Sequence, residues 1–148
     1  MPHVMRAALG LTGAVRVFGG DYPTDDGTCV RDYIHVVDLV EAHVTALAHL
    51  EEHPGVHTFN LGTGRGVSVL ELIGAVHEAT GAEVPYEVVD RRAGDAVALW
   101  ADASLVEEAL GWVARRSLTD MCFDHFNFQR ANPRGYETSS DVAVVGDD

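Results

Sequence analysis

The sequence predicts a mixed α/β fold, and three observations carry that expectation. Apolar residues recur at helical spacing from Val36 to Leu47. Two S-x-x-[DE] capping boxes, Ser68 with Glu71 and Ser117 with Asp120, each open a helical run. Between these runs lie short β-branched stretches, "VRVF" at 15–18 and "VPYEVV" at 84–89. The 148 residues, 47% hydrophobic and 22% charged, suit one soluble domain with a modest core.

Taken in order, residues 2–11 read as a short helix closed by Gly10 or Gly13, followed by the strand 15–18 and a loop, "GGDYPTDDGT". Val36, Val40, Val44 and Leu47 define a helix running to about His53, where Pro54 and Gly55 stop it. "HTFNL", 57–61, reads as a short buried strand. The helix opened by Ser68 should end at Gly81, since glycine accepts the left-handed cap. Asp102 is placed to cap "ASLVEEALG", and the last helix runs to about Ala131, ahead of Pro133. No internal repeat is present. The tail after Tyr136, "ETSSDVAVVGDD", is acidic and poor in large side chains, so residues 137–148 are expected to be disordered.

Charge and composition exclude whole classes of function. The formal charge of -13 repels phosphate at long range, which argues against nucleic acid or anionic membrane as a bulk partner. Any bound anion therefore needs a local cationic cluster. All ten basic residues are arginine, so a Schiff-base lysine, a Walker A clamp and a Tyr-x-x-x-Lys pair are all ruled out within this sequence. Cys29 and Cys122 fit no metal spacing and read as reduced, partly buried thiols. With no apolar run long enough to span a bilayer and no signal-peptide pattern, the expected location is cytoplasmic.

Several clusters of residues bear on chemistry. Gly62, Gly64 and Gly66 form G-x-G-x-G, whereas a dinucleotide fingerprint needs its third glycine one position later, so the turn reads as a backbone bend that aims a helix start at a ligand, or as purely structural. Asp21, Asp25 and Asp26 match no calcium loop and read as solvated. His49 and His53, on the helix that also carries His43, lack a second ligand pair and read as surface residues. The arginines say more: Arg31 follows one loop and Arg91 and Arg92 follow a strand, so guanidinium groups from two segments could grip a diphosphate while Asp95 accepts from ribose hydroxyls. The plainer alternative is ordinary salt bridging, Arg31 with Asp32 or Asp38 and Arg92 with Asp95.

The quoted segments "VFGGDYPTDDGTCVRDYIHVVDL", "FNLGTGRGVSVLE", "RRAGD", "LWADASL", "LGW" and "DMCFDHFNFQRANPRGY" closely resemble the C-terminal part of the UDP-glucose 4-epimerase family of extended short-chain dehydrogenases, from Met1 to Tyr136. That resemblance implies a C-terminal substrate-binding portion, residues 1–136, in which one helix and one strand normally complete a Rossmann domain that is missing here. It implies that Arg31 and Arg92 bind the UDP diphosphate, that Phe18 and Val69 wall the uracil, that Tyr33 neighbours the nucleotide and that Asp95 meets the ribose. Leu99 stands where bulk is thought to decide whether an N-acetylated sugar fits. The resemblance implies UDP-glucose and UDP-galactose as ligands, NAD as the cofactor of the complete enzyme with none bound by this chain alone, and a homodimer whose dimer-forming region lies elsewhere. In the family an internal "NLMP" precedes the matching start, so Met1 resembles an internal methionine. Without the cofactor turn and the Tyr-x-x-x-Lys pair, the chain alone is expected to be inactive, with no catalytic residue of its own. Two further readings stay open: a stand-alone module that captures UDP-sugars without chemistry, and half of a sister NDP-sugar dehydratase or epimerase.

Overall fold

The computed structural model describes residues 1–135, and the tail expected to be disordered lies outside them. Helix α1 covers Pro2–Ala8, with proline at its first position, where a missing N–H costs nothing. Strand β1, Val15–Phe18, follows, and β2 is Val30–Asp32. Helix α2 spans Val36–Glu52, capped by the His35 ring, which accepts from the Val37 N–H. Strand β3, Gly66–Ser68, runs directly into α3, Val69–Thr80, and Gly81 closes that helix at φ 71° as expected. The chain continues through β4, Tyr86–Val89, and β5, Ala98–Leu99, into α4, Ser104–Leu110, and α5, Leu118–Ala131.

The strands form two small sheets. Parallel pairing joins β1 to β4, with Val15 opposite Tyr86 and Phe18 opposite Val89. In the second sheet β2 is central, antiparallel to β3 and parallel to β5. Strands this short carry too little alternation to be recognised individually, which is why β2, β3 and β5 were not predicted. The main core lies where α1, α3 and α5 meet β1, around Met5, Val17, Leu72, Val76 and Cys122. Both free cysteines are buried, and burial inside this core pushes the Cys122 thiol up to about 11, which favours its protonated form at neutral pH.

A smaller cluster of Ala42, Val106 and Trp112 fastens α2 to α4. The other face of α2 is open among the described residues: Val36, Val40, Val44 and Leu47 are 55–66% exposed. This apolar stripe has the spacing of a core-facing helix yet meets no core among the described residues. Residues 57–61, expected as a buried strand, form no ladder and are mostly exposed. A strand needs a neighbour for its N–H and C=O groups, and both described sheets lie elsewhere. Asp102 also departs from expectation by one position: Ala103 is the N-cap of α4, and Asp102 accepts instead from the Ser104 N–H and hydroxyl.

Candidate nucleotide-binding site

The sheet ends bring Phe18, Arg31, Arg92 and Asp95 together. Arg31, at the centre of β2, has its Nη1 fixed by donation to the carbonyls of Val30 at 2.7 Å and Ala96 at 2.9 Å. Its Nη2 stands 3.7 Å from Asp95 Oδ1. Arg92, in the loop after β4, donates to the same oxygen at 2.8 Å and lays its guanidinium 5.2 Å from the Phe18 ring centre. Asp95 therefore serves two arginines that arrive from distant segments. The Arg92 hydrogen bond holds the Asp95 carboxyl below its usual range against partial desolvation, with the charges of Arg92 and Arg31 adding to the effect. The alternative pairings of Arg31 with Asp32 or Asp38 do not form, whereas Arg92 with Asp95 does.

Leu99, 62% exposed, lies beside Arg31 in the β2–β5 register. Val69, the first residue of α3, is half-buried against the main core, and its N–H donates to Thr28 Oγ1 at 3.2 Å. Tyr33 follows β2, two residues beyond Arg31. It packs on the main core and lines a groove of about 560 Å³ with His35, Met121, Asp124 and Phe128. Burial, reinforced by Cys29 and opposed by Arg31, raises its hydroxyl above the ordinary value.

The site also depends on residues that sequence reasoning missed. Asp26, read as a solvated loop acid, accepts from the Thr28 N–H and hydroxyl and from the Ser68 hydroxyl, so it pins the loop to the cap of α3. These hydrogen bonds outweigh desolvation and keep its carboxyl below the usual range. Asp32 accepts from the backbone N–H groups of Thr63, Gly64 and Ala101. Its position directly after Arg31 was the only hint. Gly19, at φ 85°, lets the loop turn where a Cβ would strike the Tyr22 ring.

A dinucleotide does not fit the glycine turn. The N–H groups of Thr63 and Gly64, which a pyrophosphate would need, already point at the Asp32 carboxylate. The start of α3 is likewise satisfied internally, by Ser68 and Thr28, so it presents no free N–H pair to a ligand. Among the described residues no group of three His, Cys, Asp or Glu is placed to hold a metal, and the His49 and His53 rings simply stack at 4.3 Å. No described helix is long and apolar enough to cross a membrane.

Comparison with known proteins accounts for this architecture. A sequence model of the NAD dependent epimerase/dehydratase family matches residues 1–62. Proteins similar to this chain include UDP-glucose 4-epimerases. The human one is 49% identical over 140 residues, which is 95% of this chain and 40% of the relative. A UDP-glucose 4-epimerase structure from Stenotrophomonas maltophila, holding NAD and formylated UDP-arabinopyranose, superposes with TM-score 0.87 at 54% identity over 90% of this chain and 40% of that one. The Bifidobacterium longum enzyme in complex with NAD+ and UDP gives 0.86 at 48% identity, over 91% of this chain and 40% of its own. The chain thus spans 40% of the length of these relatives.

Proposed function

We propose that this chain is the nucleotide-sugar-binding portion of a UDP-glucose/UDP-galactose 4-epimerase, lying toward the C-terminus of the complete enzyme. The observation that carries this reading is the single Asp95 oxygen shared by Arg31 and Arg92. A carboxylate held between two guanidinium forks occupies the place that a diphosphate oxygen takes when it binds. On ligand entry Arg31 keeps its backbone anchors, so its charge is already positioned, while Arg92, more exposed, swings from Asp95 to phosphate. Phe18 then offers a flat face for the base, Val69 and Tyr33 complete the nucleotide surroundings, and Asp95, relieved of Arg92, can accept from ribose. Leu99 borders the sugar end. The relatives' complexes with NAD, UDP and a UDP-pentose support this ligand class.

The hydride and proton steps need groups that this lysine-free sequence does not hold, so the chain assayed alone with added NAD should interconvert nothing. The complete enzyme would use NAD and work as a homodimer in the cytoplasm. Calorimetric titration with UDP tests the binding half of the reading. Saturable binding that Arg31→Ala and Arg92→Ala each reduce supports it, and no heat from the wild-type chain sinks it. Saturable binding joined to turnover by the purified chain would instead contradict the assignment of the missing catalytic groups.

A further inference from the structure

Four arginines gather at the β1–β4 end of the molecule, and three are neutralised there. Arg31 and Arg92 share Asp95, and Arg91 is held by Asp21. The fourth, Arg16, has no carboxylate partner among the described residues, and its register neighbour Glu87 forms no ion pair with it. Strand alternation puts Arg16 on the same face of β1 as Phe18, opposite the buried Val17. Its guanidinium lies 5.3 Å from the Phe18 ring centre, matching the 5.2 Å of Arg92 on the same ring. An arginine resting on an aromatic ring keeps its five N–H donors free at low entropic cost, because the ring already orders the side chain.

We propose that Arg16 is a third anion-contacting residue of this site, adding its free guanidinium to the phosphates of a nucleoside diphosphate lodged against Phe18. This inference rests on the nucleotide-binding reading above and extends it to a residue placed by no resemblance. In a chain of net charge -13, a cation left without a counter-ion beside two others is the local cluster that any anion would require.

The test is calorimetric titration of UDP into the wild-type chain, Arg16→Ala, Arg16→Lys and a control, Arg130→Ala, which removes one charge from the exposed face of α5. Because Arg16 is exposed, its replacement should leave the melting temperature unchanged. Arg16→Ala should weaken UDP about threefold to tenfold, as befits one solvent-accessible charge-assisted contact. Arg16→Lys should recover part of that loss, Arg130→Ala should match the wild type, and the gap between wild type and Arg16→Ala should narrow at high salt. Wild-type affinity in Arg16→Ala overturns the inference while leaving the nucleotide-binding reading intact. So does an equal loss in Arg130→Ala, which would mark a bulk charge effect, or a gap that salt leaves unchanged, which would mark packing on Phe18. Absence of UDP binding by the wild type removes both readings together.

Discussion

The carboxylate of Asp38, 1% exposed on α2, is closed over by Arg116 from the segment ahead of α5, through the Arg116 side chain and the backbone N–H groups of Arg115 and Arg116. Glu41 accepts from the outer side of the same guanidinium at 3.1 Å. This pair, with the Ala42, Val106 and Trp112 cluster, ties α2 to the rest of the molecule. Removing one member strands the other's charge, so Asp38→Ala should cost about 3 kcal/mol, the lower end for a buried pair because Arg116 is partly in solvent. Chemical denaturation measures it, and an unchanged midpoint would contradict the anchoring role.

The same carboxylate, with that of Asp26, makes stability depend on acid. Burial alone would raise both, but the Arg116 and Arg115 contacts at Asp38, and the Ser68 and Thr28 hydroxyls at Asp26, set them below the ordinary 3.8. A depressed folded-state value means the unfolded chain binds protons first as pH drops. Stability from both groups should be full above about pH 5 and fall steadily below about pH 4. Melting temperatures measured across that interval should fall in the wild type and fall less steeply in Asp38→Asn.

Ser68 faces two ways, donating to Asp26 and accepting from the Glu71 N–H at 3.0 Å. Ser68→Ala should lower stability by about 1–2 kcal/mol, since it opens the capping box and leaves the Asp26 carboxylate short of a donor. Thermal unfolding is the check. Ser117→Ala, whose capping box is solvent-exposed, should cost less.

Tyr22 is 5% exposed, and its hydroxyl finds no partner among the described residues while its ring carries the Arg91 guanidinium 4.1 Å from its centre. Tyr22→Phe removes a buried polar atom and keeps the ring. It should leave stability unchanged or raise it by up to about 1 kcal/mol. A clear drop in melting temperature would mean that the hydroxyl has a partner after all.

The exposed stripe Val36, Val40, Val44 and Leu47 predicts that the isolated chain self-associates and melts at modest temperature. Sedimentation at rising concentration should show growing species, and Val40→Glu with Val44→Glu should suppress them without lowering the melting temperature. A sharply cooperative, purely monomeric wild type would count against this.

Legibility in the sequence followed how local each signal was. The helices α2, α3 and α5 were readable because capping boxes and apolar spacing sit within single segments. The strand pairings were not, since β1 meets β4 and β2 meets β5 across long stretches of chain, and two- or three-residue strands carry no usable period. At the site, Arg31, Arg92 and Asp95 were visible as charged residues at loop and strand ends, but not the shared oxygen that joins them. Asp26 and Asp32 were missed because an acid in a turn looks the same whether it faces water or a distant N–H group. The expected strand 57–61 failed for the opposite reason: its composition suits a sheet, but composition does not supply a neighbour.

The parallel pairing of β1 with β4, and of β2 with β5, has a consequence for how the chain comes to life. Neither link is a hairpin, so β1 has no strand partner until β4 has been made, and β2 can pair only with β3 until β5 follows. Val15–Phe18 must wait until Val89 is clear of the exit tunnel, and Arg31 has no neighbour at position 99 until later still. During translation, the strand ends that carry Phe18 and Arg31 gain their parallel neighbours only after residues 86–99 have emerged.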